Sequence, residues 1–177
     1  RFSVWSTIGL PLMRACGADA FDEFLAGGRS MDAHFASAPF ATNLPVLAAL
    51  LGIWNATFLG IDSHAMLPYS HRLRSLPASA AIGLPLMPAY LQQLEMESNG
   101  KSVDRSGKQV SWQTAPIIFG GPGTVGQHAY HQLFYQGTRK VAFDFVVPVC
   151  AAPSPATLSL IDNALAQSAA LMLGRTL

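Results

Sequence analysis

The last third of the chain constrains the fold most. "TAPIIFGGPGTVGQHAYHQLFYQG" (114–137) reads as apolar strand, glycine-rich turn and helix, and "KVAFDFVVPV" (140–149) as a second apolar strand. Neither strand shows the polar–apolar alternation of a half-solvated sheet. Strands apolar on both faces belong inside parallel sheets, where helices cover each side. "PATLSLIDNALAQSAALMLG" (155–174) then closes the region as a long helix. The pattern predicts a βαβ unit and an α/β class. Two strands do not make a sheet that stands alone, so further strands are expected from elsewhere in a longer chain.

Half the residues are hydrophobic and only 12% are charged, against a usual quarter. Such a chain buries much of itself. A net charge of +1 sets aside steering toward nucleic acid or an acidic membrane surface. Cys16 and Cys150 fit neither a metal spacing nor a disulfide framework, which suits a reducing cytoplasm. The chain opens on Arg1 with no basic-then-apolar leader pattern, and we read upstream residues as missing. Residues 43–61, "NLPVLAALLGIWNATFLGI", have the length of a membrane span, but Pro45, Asn55, Gly52 and Gly60 interrupt them. A buried helix of a larger protein is the better reading.

The N-terminal part is helix-rich. "SVWSTIGLPLMRACG" has helical apolar spacing and a stop at Gly17. "DAFDEFLAGG" is expected to start at Asp19 and end at its double glycine, and a further helix to begin at Ser30. Asn43 or Thr42 caps the helix after that. The prolines of residues 66–101 predict short helices and turns, and residues 104–113 a polar loop. The hexamer "IGLPLM" occurs at 8–13 and again at 82–87, too isolated for a repeat architecture.

Two stretches carry candidate chemistry. In "LEMESNGKSV" (94–103), Glu95, Glu97, Ser98, Asn99 and Lys101 crowd around Gly100. By residue type alone this is a solvated helix end. "GPGTVGQHAYHQLFYQGT" (121–138) sets glycines before a helix, an arrangement that binds anions, but it lacks P-loop and dinucleotide spacings. It places His128 on the first turn of a helix just after a strand, where open α/β sheets bind ligands. His34, His64, His71 and His131 read as structural or surface residues, and Trp5, Trp54 and Trp112 as packing residues.

Taken together, "RFSVWSTIGL", "MDAHFASAP", "PVLAALLGIWN", "SHAMLPYSHRL", "YLQQLEMESNGK", "GPGTVGQHAYHQLFYQGT", "DFVVPV" and "NALAQSAALMLG" resemble, in order, the phosphoglucose isomerases of the long type. The resemblance implies an interior piece of about one third of a longer chain. It implies sugar-isomerase (SIS) type three-layer αβα architecture with an incomplete parallel sheet. Residues 1–97 would end a first SIS-type domain and its helical connection, 98–112 would be a loop, and 113–177 would open a second.

The implied activity interconverts glucose 6-phosphate and fructose 6-phosphate through a cis-enediolate. The matching positions make Glu97 the base, His128 the residue assisting ring opening, and Arg1 and Gln93 the substrate-positioning residues. His128 would serve the neighbouring subunit of a homodimer. Elementary chemistry agrees with these roles. One carboxylate can remove a proton alpha to a carbonyl and return it to the next carbon. An imidazole titrates near neutrality and can exchange a proton with the ring oxygen, and a guanidinium steadies enediolate oxygens without accepting a proton. No cofactor and no metal is implied, the location is cytoplasmic, and the partner is a phosphorylated hexose with no nucleic acid or membrane.

The chain departs from the family pattern in residues 79–89, "SAAIGLPLMPA", which the pattern lacks, and at Gly121 and Val125, where Glu and Asn are usual. The phosphate-binding loop and a later glutamine and lysine of the family lie outside these residues, so the piece alone is expected to be inactive. A non-catalytic sugar-phosphate-binding module is the alternative, and a membrane-associated protein built on 43–61 a more distant one.

Overall fold

The computed structural model describes residues 4–70 and 87–174. The chain forms two compact units, one ending at Trp54 and the other starting at Asn55.

In the first unit a 3-10 turn, Thr7–Gly9, leads into helix α1, Leu10–Cys16. Pro11 sits in its first turn, where the missing N–H leaves no bond unmade. The helix stops at Gly17, which takes φ 89°, as the sequence predicts. Helix α2, Ala18–Ser37, then runs 20 residues without a break. The stop expected at Gly27–Gly28 and the separate start at Ser30 are not realised. A glycine inside a helix costs only about 1 kcal/mol against alanine, and here packing offsets it. A Cβ on Gly28 would lie 2.7 Å from the Trp5 ring, which itself stacks on Phe24 with centroids 4.7 Å apart.

Asn43 caps helix α3, Leu44–Ile53, accepting from the Val46 N–H at 3.4 Å. Its Nδ2 donates to the Phe35 carbonyl at 2.8 Å, so one buried amide both starts α3 and holds the end of α2. His34 is structural as expected, its Nε2 accepting from the Leu44 N–H at 3.1 Å. The helix predicted to be buried is exposed within this chain: Leu44 is 60% and Leu51 62% accessible. α3 runs on through a π-helical turn, Trp54–Phe58, and the helix stops before Gly60, which takes φ 63°.

The second unit is built on a three-stranded parallel sheet in the order β2–β1–β3. Strands β2, Ile117–Gly120, and β3, Ala142–Val146, are those read from the sequence. Between them lies β1, Ser63–Pro68, in a stretch where prolines predicted turns. Pro68 ends the strand rather than interrupting it, so it costs the ladder little. Side chains alternate across a strand, which puts Ala65 and Leu67 of β1 on the same face as Phe143 and Phe145 of β3. That face is the core, closed by Tyr69, Leu160 and Ala164. The last two belong to α7, Pro155–Leu173.

Ser154 caps α7, its Oγ accepting from the Thr157 N–H at 3.2 Å, and Gly174 stops it at φ 67°. Among the described residues α7 is the one helix with the length and hydropathy of a membrane span. Its Ala164 is nonetheless 1% accessible against the sheet.

The boundary expected at 98–112 does not separate this chain. β1 precedes that loop, β2 and β3 follow it, and all three share one sheet. The division by packing falls after Trp54 instead. Residues 98–112 form an exposed excursion ordered by Asp104, whose Oδ1 accepts from the Ser106 hydroxyl at 2.7 Å and from the Ser106 and Lys108 N–H groups. These bonds, the Ser106 hydroxyl foremost, hold the Asp104 carboxyl below its ordinary range. Trp112 and Trp54, read as packing residues, are 60% and 53% accessible here.

Candidate active site

Helix α4, Met87–Leu91, continues directly into a π-helical turn, Gln92–Glu97. Such wide turns are rare and concentrate at functional sites. The extra residue per turn brings positions five apart as well as four apart onto one side. Gln93 and Glu97 meet there, Gln93 Nε2 donating to Glu97 Oε2 at 3.0 Å. The turn is closed by Lys101, whose Nζ donates to the Glu97 carbonyl, and by Gly100, whose N–H bonds the Met96 carbonyl at 3.0 Å. A Cβ at Gly100 would overlap that carbonyl oxygen, so the tight turn requires glycine. Glu95 and Lys101, read as solvated flank, are therefore not equivalent: Lys101 ties the turn, and Glu95 is half-buried while Glu97 is exposed.

Between this turn and β2 runs a groove of about 640 Å³, with Gln93, Met96 and Glu97 on one wall and Ile117, Ile118 and Phe119 on the other. That volume lies in the range of small-molecule sites, and an apolar wall facing a few polar groups is their usual composition. A second cavity of about 530 Å³ lies among Phe134, Arg139, Lys140, Phe143 and Met172, and Gln93, Glu97 and His128 are not in its lining.

His128 stands at the end of β2 on the glycine loop. Gly120 takes φ 137°, and a Cβ there would strike the Met66 carbonyl. After Pro122 comes a single helical turn, α5, Gly123–Gly126. A Cβ at Gly123 would overlap the Tyr69 ring, and one at Gly126 the Tyr130 ring. Gly121, where the family pattern has glutamate, meets nothing nearer than the Tyr130 hydroxyl at 3.7 Å, so packing does not dictate it. His128 lies just past α5 in a turn rather than on the helix's first turn, exposed, with its N–H bonded to the Val125 carbonyl at 3.1 Å. It is not among the residues lining the Gln93–Glu97 groove.

The loop rests on buried aromatic and polar groups. Burial pushes the Tyr69 phenol above its ordinary range, while the Gln127 side chain beside it pulls the other way. Burial raises Tyr130 as well, and nearby Tyr69 adds to the effect. His131, at the start of helix α6, His131–Gln136, is 3% accessible and belongs to this interior. Replacing Gly123 by alanine is expected to cost ~1–3 kcal/mol by overpacking against Tyr69. A melting temperature within one degree of the unsubstituted protein would contradict that packing.

The structure thus brings Gln93 and Glu97 together and sets His128 apart on a second platform. Arg1 lies outside the described residues, as do residues 79–86 of the segment 79–89 and all but Met87 of the second "IGLPLM". Sequence reasoning missed the contributions of Gln92 and Lys101. The "QQ" pair was visible, but which amide faces Glu97 and which faces the sheet depends on β2.

The Phosphoglucose isomerase family matches residues 1–177. A glucose-6-phosphate isomerase of Aromatoleum aromaticum is 61% identical over 177 residues, covering all of this chain and 30% of that protein. One from Pseudomonas fluorescens Pf0-1 is 51% identical over 179 residues, with the same two coverages. Among solved structures, the glucose-6-phosphate isomerase of Chlamydia trachomatis superposes with a TM-score of 0.74 at 39% identity. That match covers 87% of this chain and 29% of that one. A hypothetical protein of Thermus thermophilus superposes at 0.62 with 27% identity, covering 85% of this chain and 36% of the other. The chain spans about 30% of the length of the curated relatives it matches.

Proposed function

Because the chain belongs to the phosphoglucose isomerase family, we propose that the complete protein interconverts glucose 6-phosphate and fructose 6-phosphate through a cis-enediolate. The observation that carries this reading is the Gln93–Glu97 hydrogen bond on a π-helical turn that walls a groove of substrate size. Glu97 takes the proton from C2 of the open-chain aldose and returns it to C1, and the reverse reaction runs the same path. Gln93 restrains the Glu97 carboxylate beside the groove. Arg1, permanently cationic, stabilises the negative enediolate oxygens without taking the proton.

His128 exchanges the ring-oxygen proton. Its place on a separate, exposed loop supports its service to the site of a neighbouring subunit, in a cytoplasmic homodimer. The exposure of Glu97 in this chain fits a site whose remaining walls come from residues beyond these 177.

The alternative, a module that binds sugar phosphate without turning it over, has no use for a restrained carboxylate and an exposed imidazole on two platforms. The complete protein is expected to convert fructose 6-phosphate to glucose 6-phosphate, and the 177-residue segment alone to be inactive. Saturable binding of fructose 6-phosphate by the complete protein, with no turnover, would replace the isomerase reading with the module.

A further inference from the structure

The two adjacent glutamines of "QQ" do different work. At the start of β2 the Ile117 N–H donates to the Asp62 carbonyl at 2.8 Å, and just past its end the Gly121 N–H donates to the Met66 carbonyl at 3.2 Å. These alternate residues bond across to β1, so Ile118 between them turns its backbone groups to the outer edge of the strand. An edge carbonyl of this kind needs a donor from somewhere other than the sheet. Gln92 supplies it, its Nε2 donating to the Ile118 carbonyl at 2.9 Å.

Gln92 and Glu97 are the first and last residues of the π-helical turn. Gln92 therefore bonds the wall opposite, while its neighbour Gln93 bonds the Glu97 carboxylate. We propose that Gln92 is a positioning residue for the isomerisation: by anchoring the π turn to β2 it sets the width of the groove and the place of Glu97. This rests on the reading of Glu97 as the base. A base displaced by about 1 Å loses on the order of 10²-fold in rate, and the Gln92 amide is a side-chain tie between the Glu97 wall and β2.

The test uses the complete protein. Gln92→Met keeps the side chain's length and removes the donor. We expect kcat to fall about 10- to 100-fold, with the KM for fructose 6-phosphate within about twofold, because the lost bond touches no substrate atom. In a Glu97→Gln background the same change is expected to cost nothing further, since its effect passes through Glu97. Native kcat in folded Gln92→Met, or an equal loss in both backgrounds, would overturn the positioning role.

If Gln92→Met does not fold, Gln92→His and Gln92→Asn decide. The imidazole N–H reaches nearly as far as the glutamine amide, and the asparagine amide is one methylene short. A higher kcat for the histidine variant supports the role, and equal values overturn it. Glu97→Gln alone is measured first. Native turnover there removes the reading of Glu97 and the role of Gln92 with it, whereas collapse there with an unaffected Gln92→Met removes only the latter.

Discussion

Replacing Glu97 by glutamine in the complete protein is expected to lower kcat about 10⁴-fold, the upper range for loss of a general base and equivalent to roughly 5.4 kcal/mol. The substitution exchanges one oxygen for an amide and preserves shape. The Gln93 amide can still donate to the remaining oxygen, as it does to Glu97 Oε2 at 3.0 Å, so the π-helical turn and KM are expected to persist. What disappears is the carboxylate on this wall of the groove, the group able to accept a proton from carbon and give it back. Unfolding would explain a loss of rate in a trivial way, so the variant's melting temperature is measured beside its kinetics.

The second large effect concerns His128. Substitution by asparagine is expected to lower turnover of the ring-closed sugar about 10²- to 10³-fold. The more telling result comes from mixing. In a two-fold homodimer whose sites each draw Glu97 from one subunit and His128 from its neighbour, a dimer of one Glu97→Gln and one His128→Asn subunit retains one intact site. Random mixing makes about half the dimers mixed, so roughly a quarter of native activity is expected to return. No return, with mixed dimers demonstrated, would place His128 in the same subunit's site. The separation of His128 from the Gln93–Glu97 groove is what motivates the experiment.

Much of the fold was legible where a local signal decides the structure. Gly17 ends a helix at positive φ, Asn43 caps another, and the apolar runs at 117–120 and 142–146 are strands. Where a tertiary contact decides, the reading failed. The Gly27–Gly28 pair looks like a helix stop until Trp5 is seen against Gly28. β1 looks like a turn because of Pro68, until the register shows the proline at the strand's last position. Missing β1 also moved the boundary, since a sheet believed to start after residue 112 has its central strand at 63–68.

The site divides in the same way. The four-residue spacing of Gln93 and Glu97 follows from the sequence, and their roles follow from family resemblance. The groove, the task of Gln92 and the tie from Lys101 depend on β2 lying beside the π turn, a juxtaposition of residues about 26 apart that no local pattern encodes. Gly123 and Gly126 are visible as glycines in the sequence, but the Tyr69 and Tyr130 rings that leave them no room for a side chain are not.

The most direct test follows hydrogen at C2 when the complete protein runs fructose 6-phosphate to glucose 6-phosphate in deuterated water. A carboxylate that holds the transferred proton lets part of it exchange with solvent before returning it. The native protein is expected to place deuterium at C2 of glucose 6-phosphate, and Glu97→Gln to show neither product nor label. Labelling by Glu97→Gln at the native rate would contradict the assignment of Glu97 as the proton carrier.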